Sequence, residues 1–281
     1  MNDLITLLKY DLISSYNLNS ILDRRDKKKL LKTLAFLVLL IIAILGFEIS
    51  MFSYFNLMVE PLKNINMLHI IIAQGFIMSV FIIIWTSIYK APGLLFGMKD
   101  YEFLISLPIK PWVILSSKII NLILVNYLFL AIFLIPSLIV YFINTKITFI
   151  MIINAFVMYL FIPLIPIIIA SFIGFVFTYI SAKVRYKNIV YIIEGIILLP
   201  IIILISSNMQ FISEYIFKNA KNISDILNKI YPPLRYYING IVYGSFSGAL
   251  IFILISIATF TVFIILLNRV FVKINSKLLE N

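Results

Sequence analysis

Apolar residues gather in six long runs: 33–58, 65–89, 113–143, 147–180, 189–212 and 249–268. A helix crosses the roughly 30 Å hydrocarbon core of a bilayer with about 20 such residues. The pattern therefore predicts six transmembrane helices. The first run follows some thirty mostly amphipathic residues and lacks a small-residue cleavage site, so it reads as a retained span, not a signal peptide. The fourth run is too long for one upright helix. It is expected to tilt, to extend beyond the lipid, or to break at Pro163 and Pro166.

Between and before these runs the period changes. In residues 2–22, Leu4, Ile5, Leu8, Leu12 and Ile13 recur at helical spacing, with Asp3, Lys9 and Asp11 on other faces. This predicts an amphipathic helix in the membrane interface; the plainer reading is a helix packed on the protein. Residues 23–29 read as a mixed-sign solvated linker, whose basic end at 27–32 also suits anionic lipid headgroups. In the loop 90–112, Asp100 can cap a short helix and Glu102 sits in its first turn, where the dipole favours acid. Tyr101, Leu104 and Ile105 share one face; Phe103 and Leu107 pair beside it; Pro108 stops it. Such a helix is too short to span. It lies on the membrane or enters a partner's groove. The loop 213–248 carries two short amphipathic helices separated by Tyr231, Pro232 and Pro233. Gly240, Gly244 and Gly248 repeat every four residues and let another helix approach closely, within the subunit or across a dimer.

Composition removes the soluble alternatives. Hydrophobic residues make up 63% of the chain, charged residues 12%, and mean hydropathy is +1.10. Soluble domains run at about 45–50% apolar and about 25% charged. The same values exclude a disordered chain. The net charge of +11 encodes orientation and not nucleic-acid binding. Of the 23 Lys and Arg residues, 17 fall on the side of the two termini, so both termini are expected in the cytoplasm. The whole reads as an all-α polytopic membrane protein: an N-terminal interfacial helix, residues 33–268 as a six-helix transmembrane domain, and a cytoplasmic tail at 269–281.

The candidate chemistry is sparse. There is no cysteine, and the single histidine, His69, has no partner for a metal site. No aspartate pair shares a depth in the spans. Glu48 and Glu194 are the two acids within spans, and a carboxylate there is a functional candidate. Both are candidates for a substrate pathway or a buried pair. For Glu194, near a span end, pairing with Lys or Arg is the simpler reading. Lys118 is expected to snorkel to the headgroups. No Walker A motif is present; Gly93, Gly97 and Lys99 lack its spacing.

The run from Asp100 to Pro108, Asp-Tyr-Glu-Phe-Leu-Ile-Ser-Leu-Pro, followed by Lys118, resembles the acidic-then-Leu-Pro segment of permeases from low-GC Gram-positive bacteria. Together with the helix layout and the Tyr231-Pro232-Pro233 turn, the chain resembles the permease subunit of a type-2 ATP-binding-cassette exporter. Many such relatives carry two units of this kind, whereas this chain carries one. The resemblance implies a half-size permease in the cell membrane that pairs with a second copy or a sister permease. It implies a separate cytoplasmic ATPase that binds ATP and Mg, no catalysis in this chain, and outward movement of a peptide, lipid-like or other amphipathic substrate. It also makes residues 100–108 the coupling helix. Tyr101, Phe103, Leu104 and Leu107 would then enter a groove of the ATPase, with Asp100 and Glu102 at its rim. The alternative is a secondary transporter or channel independent of an ATPase.

Overall fold

The computed structural model describes residues 2–15, 27–96, 101–183 and 219–279. Among the described residues every regular element is a helix: α1 (Asn2–Ser15), α2 (Lys27–Leu57), α3 (Val59–Asn64), α4 (Ile70–Leu95), α5 (Tyr101–Ser106), α6 (Pro111–Ile143), α7 (Phe149–Tyr159), α8 (Leu164–Lys183), α9 (Ala220–Ile230), α10 (Pro233–Val242) and α11 (Phe246–Leu279). Five stretches are long and apolar enough to cross a membrane: Leu31–Asn64, Ile70–Ala91, Pro111–Ile143, Phe149–Tyr179 and Phe246–Ser276. The chain is an all-helical, multi-pass membrane protein. These stretches stand where the first four expected spans and the sixth lie. The fifth, at 189–212, falls outside the described residues, as do Glu194 and Asp100.

Helix α4 is the centre of the bundle. It packs most extensively on α6 and α8, and its buried face runs from Ile72 and Phe76 through Val80 and Ile83 to Leu95. Its contact with α6 is unusually close at Gly75, where a Cβ would overlap the Ser137 side chain. Helix α2 lies at the edge, against α6, with Phe47 edge-on to Phe133 at 5.5 Å. A second small core of Phe55, Met58, Leu62, Ile70 and Ile71 closes the α2–α3–α4 corner. Asn66 there has φ 56°, a left-handed turn that Asn tolerates better than most residues.

The expected break in the fourth span occurs just ahead of Pro163. Helix α7 ends at Tyr159, a turn covers Leu160–Pro163, and α8 starts at Leu164. The Leu164 N–H bonds Phe161 and not Leu160, so the Leu160 carbonyl loses its helical donor. With no water in hydrocarbon, such a carbonyl needs a partner from the protein. The Tyr127 hydroxyl supplies it, donating to Leu160 at 2.7 Å. In return the Tyr159 hydroxyl donates to the Tyr127 carbonyl at 2.8 Å, and the two rings stack at 5.7 Å. The break is thus held by α6. Tyr127→Phe should lower stability by about 1–3 kcal/mol, the cost of an acceptor left unpaired away from water. Detergent-based unfolding of the purified protein reads this directly; an unchanged midpoint would mean the carbonyl finds another donor.

Candidate functional site

The short helix α5 is anchored from its inner face. Tyr101 and Leu104, three residues apart, are both buried, each 3% exposed. The Tyr101 hydroxyl donates to the Val272 carbonyl at 3.3 Å, and its ring meets Phe271 edge-on at 6.2 Å. Nearby, Asn275 Nδ2 donates to the Leu95 carbonyl at 3.1 Å and to Phe271 at 3.0 Å, tying α11 to the last turn of α4. Helix α5 is thus tied to the final turns of α11, which are tied to the end of α4, and Leu107–Lys110 lead from it into α6.

This corrects the expected docking face. Tyr101 and Leu104 pack inside the protein, so neither is free to enter a partner's groove. What α5 turns outward is Glu102 and Phe103; Phe103 is 65% exposed. The Ser106 hydroxyl closes the helix end on the Phe103 carbonyl at 2.7 Å. Leu107 is half-buried against the core and Pro108 is exposed in the following bend.

A second correction concerns Lys118 and α1. Lys118 does not snorkel. It is buried, and its Nζ lies 2.8 Å from Asp11 Oδ1, with the two side chains 6% and 7% exposed. The second Asp11 oxygen lies 3.5 Å from the Ser117 hydroxyl. Because Asp11 turns inward, the buried face of α1 is shifted from the apolar stripe to include Leu7 and Asp11. Leu7 and Asp11 are buried, Leu4 and Leu8 are half-buried, and Ile5 is exposed. Helix α1 packs on α6, beside the segment that carries α5. Neither feature was readable from the sequence, where Asp11 looked like part of a solvated face.

The glycine triplet is internal. A Cβ at Gly240 would press on Met158 Sδ and Ala249, and one at Gly248 on Asn239 and the Gly240 backbone. Asn154 Nδ2 donates to the Gly240 carbonyl at 2.8 Å. These contacts join α10 to α7 and α11, the within-subunit reading. Gly244 has φ +60°, and the N–H groups of Tyr243 and Ser245 on either side of it bond the Asn239 carbonyl. Beside α10, Phe76, Tyr231, Tyr237 and Phe252 form an aromatic cluster, with Phe76 and Tyr237 centroids 4.5 Å apart. Burial pushes both phenols far above their usual range, so they stay protonated. Neither hydroxyl has a hydrogen-bond partner among the described residues.

Glu48 is half-buried on α2. It lines an open cleft of about 230 Å³ between α2 and α6 with Leu45, Ile49, Phe52, Ile135, Pro136 and Ile139. Among the described residues, no hydrogen bond or ion pair reaches its carboxylate. Deeper in the bundle, Asn126 joins α6 to α4: the Thr86 hydroxyl donates to its Oδ1 at 2.7 Å, and its Nδ2 donates to Ser87 at 2.8 Å. Among the described residues no group of three or more His, Asp or Glu is placed to hold a metal.

No family model matches this chain, and no curated protein or solved structure matches it either.

Proposed function

We propose that this chain is the membrane-spanning permease subunit of an ATP-driven exporter of the type-2 ATP-binding-cassette class. The observation that carries the reading is α5: a short helix tied to the end of α11, which is itself tied to the end of α4, and leading through Leu107–Lys110 into α6, with Glu102 and Phe103 left outward. An element tied to one span and continuous with another can pass a push from a docked ATPase into the membrane. In this reading the run 189–212 is the fifth of six spans, both termini are cytoplasmic, and the site is the cell membrane. The ATPase is a separate subunit that binds ATP and Mg. A second copy or a sister permease completes the pathway, and the cargo is a peptide, lipid-like or other amphipathic molecule. Asp100 belongs to the same docking segment.

The test is co-purification with the ATPase and substrate-stimulated ATP hydrolysis in membranes. Phe103→Ala should weaken docking by about 1–3 kcal/mol, as loss of a central apolar anchor does. Glu102→Lys should act mainly on association rate and its salt dependence. Leu104→Ala, by contrast, should loosen the chain itself. Full ATPase binding and full transport by the Phe103→Ala, Glu102→Lys double variant would refute the coupling role.

The broken fourth span favours a second reading, a secondary transporter or channel. Discontinuous helices near the midplane line the sites of such proteins. Proton- or sodium-dependent movement without any ATPase would establish it.

A further inference from the structure

We infer that the cleft around Glu48 is a recognition subsite for the cationic head of a membrane-partitioned amphiphile, an amine or guanidinium carried on an apolar body. The inference rests on the export reading and names its substrate class.

Three observations converge on it. First, Glu48 sits in an uninterrupted apolar span, about 14 Å short of the helix end at Leu57 at 1.5 Å per residue. A carboxylate there is expensive, and such groups are retained with a partner or a task. Among the described residues no cation pairs with it. Second, the cleft is open and its walls are apolar. Leu45, Ile49, Ile135 and Ile139 are all exposed along its rim, so it opens outward from the described bundle and not into a packed interior. A ligand can reach it sideways from the bilayer, tail already dissolved. Third, Pro136 stands in the same wall, inside α6. It has no N–H, so the Ile132 carbonyl lacks the donor that any other residue at 136 would supply. The cleft therefore offers a carboxylate between apolar walls, and its wall at Pro136 offers no N–H donor. That set suits an ammonium or guanidinium and repels an anionic head. The surrounding Ile, Leu and Phe side chains suit alkyl or aromatic substituents.

The experiment uses this chain alone in phosphatidylcholine nanodiscs, so no ATPase or turnover enters it. Ile139→Cys supplies the sole cysteine for a fluorophore at the cleft rim. A nitroxide-bearing dodecylamine is the quenching probe, and its N-acetylated neutral form is the control. The amine should bind roughly tenfold more tightly than the neutral form, the advantage of a charge-assisted contact in a poorly hydrated cleft. Glu48→Gln should erase that preference and leave the neutral form unchanged, which also reports that the cleft is still folded. Glu48→Asp should keep most of it. Equal binding of the two probes to the Glu48 protein would overturn the inference, as would an undiminished amine preference in Glu48→Gln. A change in oligomeric mass on Glu48→Gln, with the amine preference intact, would overturn it by assigning the carboxylate to a subunit contact. If the preference is lost as expected but no ATPase ever docks on α5, the export reading fails and the subsite stands.

Discussion

Asp11→Ala is expected to cost about 3–5 kcal/mol, because it removes the carboxylate 2.8 Å from the buried Lys118 ammonium. The same loss is expected for Lys118→Ala, which strands the carboxylate. A surface pair would be worth about 0–1 kcal/mol, but these side chains are 6% and 7% exposed. The penalty is the charge left buried without its carboxylate or ammonium more than the lost attraction. Replacing both partners with apolar residues, Asp11→Leu with Lys118→Met, should therefore recover most of it. The energy need not unfold the bundle. Helix α1 is joined to the rest chiefly through α6, so the cheapest response is for α1 to leave α6. Hydrogen exchange in mild detergent would show this as faster exchange across Asn2–Ser15, by roughly a hundredfold or more. Unchanged exchange in Asp11→Ala would mean that the pair contributes nothing to holding α1.

The consequence extends to α5. Lys118 lies in the first turns of α6, and α5 joins α6 through only Leu107–Lys110. The ion pair and the Tyr101–Val272 hydrogen bond thus brace one corner of the molecule from two directions. If α5 transmits force, loss of α1 should uncouple ATP hydrolysis from transport while leaving the ATPase bound.

Five of the spans were legible because an apolar run of about 20 residues declares itself without knowledge of its neighbours. The break near Pro163 was legible for the same local reason: proline removes a donor wherever it stands. Facing was a different matter. In Tyr101–Leu107 nearly every residue is apolar, so periodicity could not say which side turns inward. Tyr101 was settled by a carbonyl on Val272, far along the chain. In α1 the apolar stripe of Leu4, Ile5, Leu8, Leu12 and Ile13 is half-buried except for the exposed Ile5, while the fully buried positions are Leu7 and Asp11. A charge drawn in by a partner 107 residues away leaves no local trace. Glu48 could be named from sequence as an acid in a span, but not its cleft, since the facing wall comes from α6.

Gly75 was also passed over, although a signal was there: Gly75 and Ser79 stand four apart on the second span, the small-residue spacing that lets helices approach. The structure uses it fully. Gly75 lies against Ser137, and Ser79 is wholly buried, donating to the Gly75 carbonyl at 2.7 Å. A Cβ at position 75 would overlap both heavy atoms of the Ser137 side chain and come within 3.3 Å of the Phe133 carbonyl oxygen. The Ser137 Cβ is rigid with its backbone, so rotation cannot relieve the overlap and α4 must move from α6. This is the most extensive helix contact in the bundle. Gly75→Leu should therefore cost at least about 3 kcal/mol, at or beyond the upper end for overpacking. Gly75→Ala should cost less, about 1–3 kcal/mol, and Ser137→Gly should rescue most of that loss. The rescue stays incomplete because the Phe133 carbonyl remains close. Denaturation in mixed micelles across the double-mutant cycle would measure the coupling. A Gly75→Leu protein as stable as the parent would show that α4 and α6 part at no cost, and that their close approach is not what holds the bundle together.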